Sequence, residues 1–217
     1  KPGKGLADCL KMASLMSNEP NVKFLIAGEG EEQYLIDEYN IELIVNSEYA
    51  MKNNLHSLKL ASDYLSNSYI VPCDIWCDQN PFSKHELYSW YMVSDLIDND
   101  SSVRINRKME LTTVSPSSGG NSMIGISYLL KDEASIVQKR LQELDKDSRY
   151  DGSFWEETLY DHDKMIVMAR EVLSSNIVEI NTFEQLRELD SNSNHLQSEV
   201  LQIAADALHT EPEQITN

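Results

Sequence analysis

The largely apolar stretch Val22-Lys23-Phe24-Leu25-Ile26-Ala27, which Gly28 follows, is typical of a short buried strand. Apolar residues at helical spacing precede it, and Pro20 and Asn21 break the chain between the two segments. A charged amphipathic stretch follows it and leads to a second apolar run at residues 41–45. This alternation of helix and strand predicts an α/β fold, in which helices cover a mostly parallel sheet.

The rest of the chain first repeats this pattern and then becomes richer in strands. A helix between residues 55 and 65 precedes an apolar run at 68–71. Strand-like segments, separated by turn-rich pieces, then cover residues 87–93, 109–114 and 123–129. Helical and strand patterns return at residues 132–144, 154–160, 177–180 and 182–189. We therefore expect a main domain over residues 1–190, truncated at its N-terminus and with a β-rich insertion. We expect residues 191–217 to form a linker and the start of a second, incomplete domain.

Composition excludes several classes of function. The 217 residues include 36 acidic and 18 basic side chains, and the resulting charge of -18 disfavours a nucleic-acid partner, which needs clustered cations. The apolar runs are shorter than the roughly 20 residues that span a membrane, so we expect a cytoplasmic protein without membrane contact. Cys9, Cys73 and Cys77 lack zinc-type spacing and are interpreted as reduced thiols.

Asp74 is the first candidate for chemistry, because it directly follows the apolar run at residues 68–73. Ligands of open α/β sheets bind beyond the carboxyl ends of the strands. A carboxylate there is a natural ligand for Mg²⁺ that carries a nucleotide phosphate. The alternative is a loop aspartate that caps the following turn.

Glu156 stands beside two aromatic residues in Phe154-Trp155-Glu156, at the start of a predicted helix. Aromatic faces with a nearby acid suit an ammonium group. The alternative is ordinary core packing of the two rings, with the acid favourably placed at a helix N-terminus.

Asn53, Asn54 and Ser57 form the third candidate group, because asparagine offers donor and acceptor groups that suit a nucleotide. Asparagine is also a favoured N-cap, which explains one of the two. Gly28 begins Gly28-Glu29-Gly30, placed between a strand and a helix where a phosphate loop would lie, although a third glycine is absent. The five histidines show no ligand spacing, and no arrangement for nucleophilic catalysis is recognised.

Residues of about 28–190 resemble the sugar-phosphate nucleotidyltransferases, and among them the phosphocholine cytidylyltransferases. The matching stretches, in the family's order, are Gly28-Glu29-Gly30-Glu31-Glu32-Gln33, residues 46–58, residues 68–74, Gly125-Ile126-Ser127-Tyr128 and Phe154-Trp155-Glu156. The resemblance implies a Rossmann-like mixed sheet and Mg²⁺-dependent transfer of a cytidylyl group from CTP to phosphocholine or a related phospho- or phosphono-amine, with release of pyrophosphate.

The resemblance also implies roles for individual residues. Asp74 and Glu156 match the two metal-binding acids, and Asn53, Asn54, Ser57 and Gly28 match nucleotide-contacting positions. Phe154, Trp155 and Tyr128 would line the site of the cationic head group. Leu129 stands where choline enzymes tend to have another aromatic residue, which favours a smaller amine such as phosphoethanolamine or an aminoethyl phosphonate.

Two departures from the family leave alternatives open. The family's glycine-rich signature is absent, so an inactive nucleotide-binding module is one alternative. Residues 4–31 also resemble the nucleotide-sugar domain of retaining glycosyltransferases, which makes a glycosyltransferase fragment the other. Residues 199–216 resemble the opening of a choline-kinase-like phosphotransferase domain, which makes a fused kinase-like domain one interpretation; an ordinary helix and turn, or the first helix of a carrier-type domain, is the alternative. The sequence does not determine the oligomeric state.

Overall fold

The structure of the protein is a computed structural model that describes residues 24–28 and 41–190. Its first two strands, β1 (Phe24–Gly28) and β2 (Ile41–Val45), pair in parallel, with Gly28 opposite Val45. Both are the apolar runs that the sequence predicted as strands. The helices expected on either side of β1, and the linker and second domain expected after residue 190, lie outside the described residues.

The main sheet combines the strands of the middle of the chain. Its order is β3 (Ser68–Ile70), β8 (Gly120–Leu129), β5 (Trp90–Asp98), β10 (Lys164–Val172), β7 (Glu110–Thr113) and β6 (Val103–Ile105), and β9 (Tyr160–Asp161) pairs with β10. β5 and β10 are parallel, whereas β8 runs antiparallel to both β3 and β5. The sheet is therefore mixed, but among the described residues β5–β10 is its only parallel pair, so this sheet is mainly antiparallel and not mostly parallel as the sequence predicted.

Besides short 3-10 helices, the described residues also form a second, small sheet and three α-helices. β4 (Ile75–Cys77) pairs with β11 (Ile177–Glu179). The helices are α1 (Asn54–Leu60), α2 (Lys131–Leu144) and α3 (Phe183–Leu189). α2 follows the predicted helix at residues 132–144 closely, because it carries acids in its first turn and an apolar face at helical spacing.

The core lies on both faces of the main sheet, since successive side chains of a strand point to opposite faces. Along β5, Tyr91 and Val93 pack in one cluster, which α2 covers with buried residues such as Leu141. Trp90 and Met92 pack in a second cluster on the other face. Each of the two clusters therefore marks one face of the main sheet.

The chain divides into two compact units between Val178 and Glu179. All candidate site residues belong to the first unit. In the second unit, α3 begins at a capping box, in which the Thr182 side chain accepts from the Gln185 N–H and the Gln185 side chain accepts from the Thr182 N–H. No helix within residues 24–28 and 41–190 is long and apolar enough to cross a membrane.

Candidate functional site

A surface cleft of about 460 Å³ opens at the start of α1. Its lining consists of the loop after β2, the first turn of α1 and a short segment near residue 151: Tyr49, Ala50, Met51, Lys52, Asn53, Asn54, Ser57, Asp151 and Gly152. Three of the four residues predicted to contact a nucleotide therefore line one cleft. The fourth, Gly28, ends β1 opposite Val45, and β2 leads from Val45 directly into the loop that lines the cleft.

Asn53 is the N-cap of α1, and its polar groups are occupied within the protein. Its Oδ1 accepts from the Asn54 N–H at 2.7 Å, and its Nδ2 donates to the Gly152 carbonyl at 3.1 Å. Its backbone N–H donates to the Asp151 carbonyl at 2.7 Å. Asn53 thus has the structural role that the sequence assigned to one of the two asparagines.

Asn54 is exposed and differs from Asn53 in having one end of its amide available. Its Oδ1 accepts from the Trp155 N–H at 2.8 Å. Among the residues that the structure describes, its Nδ2 has no hydrogen-bond partner. Asn54 can therefore donate to a ligand in the cleft while it holds the start of the segment that carries Trp155.

Asn46, which the sequence analysis did not single out, binds Ser57, which lines the cleft, and Glu48, in the loop that leads to it. It is almost fully buried, its Nδ2 donates to the Ser57 hydroxyl at 2.9 Å, and its Oδ1 accepts from the Glu48 N–H at 2.9 Å. The Ser57 oxygen therefore accepts inside the protein, and its own proton remains available to donate to a ligand. The position of Asn46 directly after an apolar strand was the signal that could have identified it.

Lys52 is the second residue that the sequence analysis missed, and it brings positive charge to the cleft. Its ammonium group lies 3.3 Å from Asp145 Oδ1, 3.5 Å from Glu48 and 3.9 Å from Asp151. Burial alone would lower the pKa of Lys52, but the hydrogen bond and charge of Asp145, together with Glu48, outweigh burial and raise it. His56 shares Asp145, with Nδ1 at 2.6 Å from the same oxygen.

Asp74 lies half-buried in the turn between β3 and β4, where the sequence predicted it. The preceding Pro72 packs against Gly125 of β8, and a Cβ at Gly125 would lie 2.7 Å from the Pro72 ring. Gly125 also has a φ of +91°, at an irregularity in the β5–β8 ladder. A glycine is therefore needed at this position for the turn that carries Asp74 to approach the sheet.

Glu156 lies in the short 3-10 helix Trp155–Leu159 and contacts Tyr91 of β5. Its Oε1 accepts from the Tyr91 hydroxyl at 2.9 Å, and its Oε2 is buried without a partner among the residues described. Burial raises the pKa of the Glu156 carboxyl. Burial, and next the charge of Glu156, raise the pKa of Tyr91 well above its ordinary value. Only the tertiary contact identifies Tyr91, because in sequence it is one aromatic residue of a buried strand.

The three predicted aromatic residues occupy different environments. Trp155 is 3% exposed and packs against Tyr91, with ring centroids 6.1 Å apart, whereas Phe154 is 60% exposed. Tyr128 belongs to the cluster on the other face of the sheet, where its ring lies 4.7 Å from that of Tyr69. The structure thus brings Phe154, Trp155 and Glu156 to one face and Tyr128 to the opposite face.

A metal site formed by protein ligands alone is not present in the described part of the chain. Within residues 24–28 and 41–190, no three His, Cys, Asp or Glu side chains are grouped as they would be to hold an ion. A metal bound here would take ligands from its substrate as well, as Mg²⁺ with a nucleotide does.

The sequence relatives found for this chain are cytidylyltransferases. No protein-family model matches the chain. The choline-phosphate cytidylyltransferase of Streptococcus pneumoniae is 26% identical over 175 residues, which are 76% of this chain and 75% of the relative. The 2-aminoethylphosphonate cytidylyltransferase of Lancefieldella rimae is 27% identical over 187 residues, or 77% of this chain and 68% of the relative.

A solved structure shares the fold. The CTP:phosphocholine cytidylyltransferase of Streptococcus pneumoniae superposes with a TM-score of 0.67 at 21% identity, over 84% of this chain and 83% of the other. Its likeness supports the α/β nucleotidyltransferase fold that the sequence predicted. The chain is therefore similar in sequence to cytidylyltransferases that act on choline-phosphate or 2-aminoethylphosphonate, and it shares the α/β nucleotidyltransferase fold.

Proposed function

We propose that this enzyme transfers the cytidylyl group of CTP to phosphocholine or to a related phospho- or phosphono-amine. The observation that carries the proposal is the cleft at the start of α1, where Asn54 and Ser57 adjoin the segment that bears Trp155 and Glu156. Relatives named for choline-phosphate and for 2-aminoethylphosphonate support both kinds of acceptor.

The nucleotide half of the site is the cleft itself. The Nδ2 of Asn54 and the hydroxyl of Ser57 supply hydrogen-bond donors, whereas the charge of the Lys52 ammonium group is already balanced by Asp145 and Glu48. The two donors suit a polar ligand that carries acceptor atoms, as a nucleotide does.

The acceptor half is the segment that follows the cleft. Phe154 exposes its ring, and the buried Glu156 has one carboxylate oxygen without a protein partner among the described residues. An aromatic face and an adjacent carboxylate attract an ammonium group, by about 0.5–2 kcal/mol for the aromatic face. We assign the amine of the acceptor to the exposed ring of Phe154 and to Glu156, with the buried Trp155 holding this segment in place. Tyr128 packs on the other face of the sheet, so the predicted contact between Tyr128 and the amine does not fit this position of the acceptor.

The residues present fit a magnesium ion that arrives with the nucleotide. Asp74 offers a half-buried carboxylate beyond the end of β3. Glu156 is the other acid that the resemblance assigns to the metal, but its one oxygen without a partner among the described residues is assigned to the amine, so Asp74 and the phosphates would hold the ion. One or two carboxylates with phosphate oxygens are the usual protein ligands of Mg²⁺. When bound, the ion would neutralise negative charge on the phosphates.

The reaction would be a direct displacement. An oxygen of the acceptor's phosphate or phosphonate forms a bond to the α-phosphorus of CTP, and the bond between that phosphorus and the bridging oxygen to the β-phosphorus breaks, so that pyrophosphate leaves. Since no covalent protein nucleophile is required, the chain's own residues act by holding both substrates in line and by placing charge near the phosphates.

Thermal unfolding tests nucleotide binding without requiring turnover. A ligand at 100 times its dissociation constant adds about 2.7 kcal/mol to stability, which corresponds to about 5–10 °C for a chain of this size. We expect CTP with Mg²⁺ to give a larger shift than ATP, GTP or a UDP-sugar. A larger shift with the UDP-sugar would favour a glycosyltransferase, and no shift with any nucleotide would contradict the proposal.

Pyrophosphate release then tests the reaction. We expect release only when CTP, Mg²⁺ and either phosphocholine or 2-aminoethylphosphonate are all present. Asp74→Asn should abolish it, whereas Asp100→Asn, which removes the same charge from an exposed turn, should not. Equal activity of the two variants would refute the role of Asp74. CTP binding without pyrophosphate release would indicate an inactive nucleotide-binding module.

A further inference from the structure

Hydrogen bonds join the two halves of the proposed site, and one side chain belongs to both. The backbone N–H of Asn53 donates to the Asp151 carbonyl at 2.7 Å, and its Nδ2 donates to the Gly152 carbonyl at 3.1 Å. The Oδ1 of Asn54 accepts from the Trp155 N–H at 2.8 Å. The nucleotide-contact segment is thus attached at three points to the segment that leads into the acceptor half.

The bond to Trp155 has a particular structural role. Trp155 is the first residue of the 3-10 helix that carries Glu156, and the first N–H groups of a helix have no partner within it. Trp155 is also nearly fully buried. Without Asn54 its N–H would lose its partner at a site poorly reached by water, which destabilises the start of this helix.

We infer that Asn54 is a positioning residue that couples nucleotide binding to acceptor binding, an inference that rests on the function proposed above. The carboxamide is planar, so its Nδ2 and Oδ1 cannot be oriented independently. A nucleotide that accepts from Nδ2 holds the amide in the orientation in which Oδ1 binds the Trp155 N–H. Hydrogen bonds in series also polarise and strengthen one another. The first ligand therefore prepares Trp155 and Glu156 for the second.

Coupling of this kind is reciprocal, and its size can be measured. If CTP raises affinity for the acceptor by some factor, the acceptor must raise affinity for CTP by the same factor. Couplings between sites typically amount to roughly 5- to 150-fold. A single bridging amide places the expectation at the lower end, about 5- to 10-fold.

Two substitutions at Asn54 separate its two bonds. Asn54→Asp keeps an oxygen that can accept from the Trp155 N–H but removes the Nδ2 donor, whereas Asn54→Ala removes both. Asn99→Ala, in an exposed turn after β5, is the matched control. The full chain is used for all variants, with CTP and Mg²⁺ as one ligand and 2-aminoethylphosphonate or phosphocholine as the other.

Titration calorimetry gives the dissociation constant of each ligand alone and with the other saturating. We expect wild type and Asn99→Ala to bind CTP about 5- to 10-fold more tightly when the acceptor is present, and Asn54→Ala to show a factor near 1. Asn54→Asp should bind CTP more weakly but bind the acceptor alone as wild type does. Asn54→Ala should weaken the binding of each ligand alone.

The outcomes separate this inference from the proposed function. If wild type binds both ligands but without coupling, or if Asn54→Ala keeps the wild-type factor, the inference is wrong and the proposed function stands. If wild type binds neither CTP nor an acceptor, the proposed function fails and the inference falls with it. If Asn54→Ala does not fold, weaker binding of the acceptor alone by Asn54→Asp refutes the separation of the two bonds.

Discussion

Gly125→Ala should destabilise the protein and displace the turn that carries Asp74. The φ of Gly125 is +91°, and holding an alanine in such a conformation costs about 1–3 kcal/mol. The added Cβ would also lie 2.7 Å from the Pro72 Cγ, where carbon atoms normally pack at about 3.5–4.0 Å. Pro72 would have to retreat by about 1 Å, at a further cost of about 1 kcal/mol.

The sum is a loss of about 2–4 kcal/mol in the free energy of unfolding, measured by urea denaturation followed by circular dichroism. A chain of this size should lose about 5–15 °C in melting temperature. Gly152→Ala is the matched control, because a Cβ at Gly152 meets no atom within 4 Å and its φ is not in the positive range. We expect that control to change stability by less than about 0.5 kcal/mol.

A double variant separates the two contributions. Pro72→Ala removes the ring atom that the new Cβ would strike, so in this background Gly125→Ala should cost about 1 kcal/mol less, while the cost of the positive φ remains. If Gly125→Ala is no more destabilising than Gly152→Ala, the reasoning from φ and from the close approach is refuted. An unchanged cost in the Pro72→Ala background would refute the contact with the ring alone.

Three further predictions concern the core, an ion pair and pH. Leu141→Ala, in the buried face of α2, should lower the free energy of unfolding, measured by urea denaturation, by about 2–5 kcal/mol. A loss of less than about 1 kcal/mol would contradict the place of Leu141 in the core. Arg170→Lys should lower the free energy of unfolding by about 1–3 kcal/mol. The reason is that Arg170 makes two hydrogen bonds to Glu86, at 3.0 and 2.8 Å, and stacks 3.7 Å from the Trp90 ring centroid. A change of less than about 0.5 kcal/mol would refute this. The pKa of Glu156 is raised in the folded state, which therefore binds more protons than the unfolded chain. Because of Glu156, the free energy of unfolding should fall as pH rises from 4.5, the ordinary pKa of a glutamate carboxyl, through the raised pKa of Glu156. Glu156→Gln should remove this slope of stability against pH, measured by urea titrations at a series of pH values. An identical slope in the variant would show that other groups produce it.

Local sequence patterns were sufficient for several elements, but not for β10 (Lys164–Val172), a central strand that the sequence analysis did not predict. The strands at Phe24–Gly28 and Ile41–Val45, and the helix Lys131–Leu144, follow from apolar runs and helical periodicity. The N-cap at Asn53 follows from the preference of asparagine for that position. The predicted helix at residues 154–160 is instead a short 3-10 helix, Trp155–Leu159, because its apolar residues pack against the sheet over a single turn.

Residue types and order along the chain also singled out Asp74 and the Asn53–Asn54 pair and led to the resemblance to cytidylyltransferases, because those features are local. The partners of these residues are not local. Asn54 and Trp155 are 101 positions apart, and Lys52 and Asp145 are 93 apart. Tyr128 and Trp155 lie on opposite faces because the alternation of side chains along β8 directs Tyr128 to one face, whereas the 3-10 helix that begins at Trp155 packs on the other. Candidate residues for the chemistry could be named from the sequence alone, whereas the contacts that hold them depend on long-range packing that no local pattern encodes.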